Sequence, residues 1–130
     1  MFETIRWRCH VRAGDRRGAG RVVGRVEKLL PCPIEIVGYE RYWKFPELAE
    51  LRLTSPLACS TPEHALFTTL QWAWKIATPW SLVGSEAGTP HQFEGTASAN
   101  VGARFSVVGI EWMEFAIAAR HEDTTAETPA

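Results

Sequence analysis

Four kinds of chemistry find their residue types in this 130-residue chain, and each demands its own spacing. General acid–base work wants paired carboxylates, one of them in an apolar setting that raises its pKa. Glu47/Glu50 and Glu111/Glu114 are such pairs, and Trp112 could wall the second with an apolar surface. A three-residue spacing shares one face on a helix but splits between the faces of a strand. Nucleophilic catalysis wants a thiolate activated by a His or by a helix N-terminus. Cys59, just ahead of a helix start, with His64 five residues on, is the Cys/His pair that local geometry brings closest, and no signature surrounds it. A metal centre wants three or four ligands at recognisable spacing. Cys9, Cys32, Cys59 and the four His show none, and adjacent Cys9 and His10 would point to opposite faces of a strand. A phosphate cradle wants Gly-x-Gly-x-x-Gly between a strand and a helix, and Gly18, Gly20 and Gly24 miss the third place by one. The expectation is no catalytic residue, no metal and no cofactor: a binding domain, not an enzyme.

Binding chemistry is better represented. Residues 1–30 hold eight Lys/Arg against three Asp/Glu, and residues 31–130 hold six against twelve. Arg6, Arg8 and Arg12 on one strand face, with Arg16, Arg17 and Arg21 nearby, could track a phosphate backbone. Single-strand binding would also want aromatic rings on that face, and Trp7 points the other way. With a pI near 6.4, nucleic acid is the second choice of partner. Six Trp are many for the core of so short a chain, because each indole is bulky and its N–H wants an acceptor. Trp7, Trp74 and Trp112 fit a core by periodicity. Trp72, Trp43 and Trp80 are left over, and Trp is a residue type that anchors protein interfaces.

The elements that must position these residues follow from periodicity. Residues 2–13 alternate, with Ile5, Trp7, Cys9, Val11 and Ala13 on one face and Thr4, Arg6, Arg8, His10 and Arg12 on the other, as a strand requires. Glycines in 14–20 suggest a hairpin loop, and 21–30 a second strand with Gly24 at a bulge. Residues 34–37 read as a short strand, and 39–45 as an edge strand ended by Pro46. Leu48, Leu51 and Leu53 fit either a helical turn or a strand. The clearest element is a helix over about 62–77, capped by Ser60 or Thr61 with Pro62 in its first turn. Its expected buried stripe is Leu66, Leu70, Ala73 and Ala77, flanked by Phe67, Trp74 and Ile76. Residues 81–103 read as loops around one short strand near 91–93. Residues 104–110 read as a strand continued by 112–119, with a helix as the competing reading, and 121–130 as a flexible tail. The sum is an α+β domain over 1–120: a mostly antiparallel sheet of about five strands, with one main helix packed on one face. The odd, widely spaced cysteines suit a reducing compartment. With no leader pattern and no apolar run of about 20 residues, the expectation is a cytoplasmic protein that does not engage a membrane.

One stretch, Tyr42 to Trp80, resembles small bacterial immunity proteins encoded beside polymorphic or contact-dependent toxins. Trp43, Leu51, Leu53, Thr61, Ala65-Leu66 and Leu70 carry the resemblance, over about a third of the chain. Thr61 stands where that pattern usually has Asp, and His64 where it usually has Gln. The resemblance implies a small, cofactor-free domain that holds its cognate toxin in a one-to-one complex and occludes the toxin's active site. It also implies an acidic surface, for which Glu35, Glu40, Glu47, Glu50, Glu111 and Glu114 are available, with Trp anchors beside it.

Overall fold

The computed structural model describes residues 1–84 and 92–119. In chain order the elements are β1 (Phe2–Arg12), α1 (Arg16–Leu29), β2 (Glu35–Arg41), β3 (Leu48–Cys59), α2 (Pro62–Ile76), β4 (Ala77–Thr78), β5 (Ser81–Val83), β6 (Gln92–Ser98), a 3-10 turn (Ala99–Val101), β7 (Arg104–Phe105) and β8 (Ile110–Ala118). The main sheet runs β2-β3-β1-β8-β6-β5 with neighbouring strands antiparallel, and β4 pairs with β7 apart from it. The path β1-α1-β2-β3-α2-β8 has the order of a split βαβ sandwich, lengthened at the β8 edge by β6 and β5. The domain is therefore α+β with a mostly antiparallel sheet, as the alternating pattern implied. The main sheet has six strands, and a second helix joins α2.

β1 alternates as expected. Ile5, Trp7, Cys9 and Val11 are buried, and together with the inner residues of α1 and α2 they form one core. The indole N–H of Trp7 donates to the Ser55 hydroxyl at 3.0 Å, which satisfies a polar group in this dry setting.

The expected hairpin at 14–20 and strand at 21–30 are replaced by α1. Asp15 caps the helix, its carboxylate accepting from the Gly18 N–H at 2.8 Å. Ala19, Val22, Val23 and Val26 recur at helical spacing and are buried. Three glycines and three valines in this helix each cost helix propensity, at most about 1 kcal/mol per residue. Burial of the valine stripe outweighs that cost.

α2 is where expected, with Thr61 as its cap accepting from the His64 N–H at 3.2 Å. Ala73 and Ala77 of its expected stripe are buried, but the rest of the buried face is different. Ala65, Thr69, Ala73 and Ile76 face the sheet, whereas Leu66 and Leu70 lie at the margin. Phe67 and Trp74 stand in solvent, Trp74 at 60% exposure, and Trp72 packs against the core. A helix apolar on nearly all sides has a clear period but an ambiguous phase. Small Ala65, Thr69 and Ala73 decide it, because they let the helix lie close to the sheet.

The segment 48–59 is a strand. The 81–103 region holds β5 and β6 as well as the 3-10 turn, not one short strand among loops. The expected strand 104–110 is only β7, followed by a turn in which Gly109 takes φ +105, and β8 begins at Ile110. β8 is a strand throughout, which settles the competing helix reading. The tail expected at 121–130 lies outside the described residues. No helix among the described residues is long and apolar enough to cross a membrane.

Candidate functional site

The helices cover one face of the sheet, and the other carries the alternate side chains: Arg6, Arg8, His10 and Arg12 of β1, Glu50 and Arg52 of β3, Trp112 and Glu114 of β8. At one end of this open face lies a cleft of about 670 Å³. Arg8, His10, Glu50 and Trp112 form its floor. The β2–β3 connection, from Tyr42 to Glu47, stands along one side, and Ser98 and Asn100 along another.

Two local devices build the floor. Register across β1 and β8 shifts between His10 and Val11, which pair with Trp112 and Ile110, so Glu111 is an extra residue in β8. That bulge breaks the strict alternation. Glu111 and Glu114, expected on opposite faces, therefore both meet arginines of the open face: Arg12 bonds Glu111 and Arg8 lies 3.1 Å from Glu114. The second device is Pro46, in the turn that returns the chain to β3. The Tyr42 N–H donates to the Leu48 carbonyl at 2.9 Å and the Leu48 N–H to the Phe45 carbonyl at 2.9 Å, which closes this turn and leaves the Tyr42 ring over β1.

The resulting geometry is a stack. The His10 ring packs on Tyr42 at 4.1 Å and on Trp112 at 4.6 Å between centroids, nearly parallel to both. His10 Nε2 is 3.4 Å from Glu50 Oε1. The Arg8 guanidinium lies 5.1 Å from the Trp112 ring centre and 3.7 Å from Glu50. Burial among the rings pulls the His10 pKa below the ordinary imidazole value, against the opposing pull of Glu50. At neutral pH His10 is therefore a neutral, stacked ring. The ion pairs around it run between neighbouring strands of one rigid sheet.

The sequence-level candidates divide. Trp43, 83% exposed, and Glu47, Glu50 and Glu111 all line the cleft. Glu114 adjoins it through Arg8. Glu40 stands apart on β2, 3.9 Å from Arg52. Trp72 and Trp80, expected at a binding surface, pack on the core instead. The Trp80 N–H donates to the carbonyls of Ala73 and Ala77 at 3.0 and 2.8 Å, and its ring meets Phe115 at 5.3 Å. Trp80 thus closes the C-terminal end of α2, a role for an indole N–H that helix-end carbonyls explain. Trp112, expected in the core, belongs to the cleft. Periodicity missed Tyr42, His10 and Trp112. The signal for His10 was its place on the polar face of β1, and for Trp112 its alternation with buried Met113, Phe115 and Ile117, whereas Tyr42 depends on the loop.

The remaining chemistry does not assemble. Cys59 is buried against the Leu57 carbonyl at 3.7 Å and the Thr68 hydroxyl at 4.0 Å, with no bond to His64. Burial pushes the Cys9 thiol up to about 12, so it is no nucleophile. The expected basic hairpin face is split, because Arg16, Arg17 and Arg21 lie on α1 whereas Arg6, Arg8 and Arg12 lie on the open sheet face. Arg16 sits 5.8 Å from the Tyr39 ring centre.

The chain matches no family profile, no curated protein and no solved structure.

Proposed function

We propose that this protein is an immunity protein of the cytoplasm, which binds a cognate toxin one-to-one through its open sheet face and occludes the toxin's active site. The observation that carries this reading is the meeting of two distant parts of the sequence around one cleft: Tyr42, Trp43, Glu47 and Glu50 from one, and Glu111 and Trp112 from the other. An exposed indole beside carboxylates on a rigid sheet is the composition of an interface hot spot. The Glu50–Arg8–Glu114 and Arg12–Glu111 pairs hold Glu50 and Glu111 in place before any partner arrives, which limits the ordering cost of association.

The same pairs favour a protein partner over nucleic acid. Arg8, Arg12 and Arg52 each already face a carboxylate, so phosphates would have to displace Glu50, Glu111, Glu114 or Glu40. The test is co-expression with the product of the adjacent gene. The expected result is a stable equimolar complex, and growth arrest when that product is expressed alone. A neighbour that is harmless and does not bind refutes the reading. Binding to DNA or RNA with a steep salt dependence would favour the basic-face alternative.

A further inference from the structure

The described residues that line the cleft include three carboxylates, Glu47, Glu50 and Glu111, against two cations, Arg8 and Lys44, and one of the three is unpaired. Glu50 is held by Arg8 and His10, Glu114 by Arg8, Glu111 by Arg12 and Glu40 by Arg52. Among the carboxylates that line the cleft, Glu47 has no ion pair or hydrogen bond within the described residues. It is exposed, on the same connection as Trp43 and Phe45, both of which are open to solvent, Trp43 the more so. Lys44, the cation of that connection, lies 5.9 Å from the Phe45 ring centre and makes no salt bridge. Arg8, the cation of the floor, is already shared between two carboxylates. His10 adds no charge at neutral pH, for the burial described above.

We propose that this cleft receives an arginine side chain of the partner protein, its guanidinium against Glu47 and its plane against the rings of the 42–47 connection. This rests on the reading of the open face as the docking surface, and it names the partner chemistry that face selects. A guanidinium fits because it is planar, forks onto a carboxylate and stacks on aromatic faces, whereas an ammonium does only the first part of this as a point charge. The surplus carboxylate supplies the charge complementarity, and the already paired floor supplies a wall that the incoming cation need not rearrange.

The test uses the full chain and short capped peptides in place of any toxin: hexa-arginine, hexa-lysine and hexa-glutamate, titrated while the indole N–H signals of the six Trp are followed by NMR. Hexa-arginine should shift the Trp43 and Trp112 signals and bind about threefold or more tighter than hexa-lysine. Glu47→Gln should weaken hexa-arginine binding about fivefold or more, because it removes a charge-assisted acceptor. Glu63→Gln, on α2, should leave it unchanged. Equal binding of arginine and lysine peptides, shifts confined to other Trp, or an unaffected Glu47→Gln variant would overturn the assignment. Because no toxin enters the experiment, its outcome is separate from that of the co-expression test. Peptide binding with a harmless gene neighbour would leave the arginine cleft standing and remove only the immunity reading.

Discussion

Trp43→Ala and Trp80→Ala should separate binding from folding. Trp43 is 83% exposed, and the one ring its indole meets is Tyr42, at 6.1 Å and tilted edge-on. Truncating a side chain so placed changes stability by no more than about 0.5 kcal/mol. At roughly 3–6 °C per kcal/mol for a domain of this size, the melting temperature should move by less than about 3 °C. An interface anchor is worth about 2 kcal/mol or more, so the complex with the cognate toxin should weaken about 30-fold. Trp80 is the reverse case. Its ring meets Phe115 and its N–H joins two helix-end carbonyls, and truncating a core Trp costs about 3–5 kcal/mol. Partial exposure of Trp80 puts it at the low end, near 3 kcal/mol, or about a 9–18 °C fall in melting temperature. Material that remains folded at low temperature should bind with unchanged affinity. Differential scanning fluorimetry and titration calorimetry read the two effects. A Trp43→Ala protein that melts early, or a folded Trp80→Ala protein that binds 30-fold worse, would refute the assignment of these two residues.

Ser55→Ala should cost about 1–3 kcal/mol in urea unfolding, because it leaves the buried Trp7 N–H without its acceptor. A loss under about 0.5 kcal/mol would show that this bond adds nothing. Gly95→Ala should destabilise by about 1–3 kcal/mol, since its new Cβ would lie 2.4 Å from the Phe115 ring, and a neutral result would mean that ring moves freely. Thr69→Val should be neutral or stabilising, because the Thr69 hydroxyl is fully buried and unbonded, and chemical denaturation that shows a clear loss would contradict this. His10 has a folded-state pKa below its unfolded value of about 6.5, so the unfolded chain binds the proton more readily. Its contribution to stability should be complete above about pH 6.5 and fall as pH drops from there toward the folded pKa. His10→Phe should flatten that part of the profile, and an unchanged acid slope would count against the stacked neutral ring.

Much of the framework was legible because it rests on local patterns. The alternation of 2–13 is unambiguous, since a strand of this kind has one apolar and one charged face, and β1 carries both the core Trp7 and the cleft residues Arg8 and His10. Pro62 and the Thr61 cap located α2 within a residue, because capping is decided by groups three positions apart. α1 was hidden for an opposite reason. Gly18, Gly20, Gly24 and three valines speak for turn and strand, and the helical spacing of Ala19, Val22, Val23 and Val26 prevails only once a sheet is present to bury it. Trp72 and Trp74 exchanged roles because an apolar helix surface does not say which side will find a partner.

By itself the sequence determined that the chain is an α+β domain with an alternating N-terminal strand, a capped helix at about 62–77 and carboxylates and indoles in excess of what a core can use. Those properties depend on neighbours a few residues apart. Tertiary structure alone decided which of the surplus groups meet. The bulge at Glu111 turns that carboxylate to the side that Trp112 and Glu114 already share, and the 42–47 connection brings Tyr42 over His10 and Trp43 to the rim. Among the described residues, the same packing pairs off the acidic groups that line the cleft except Glu47. A site made by strand register and one loop's path has no signature in local spacing, because the distances that define it are set across the sheet.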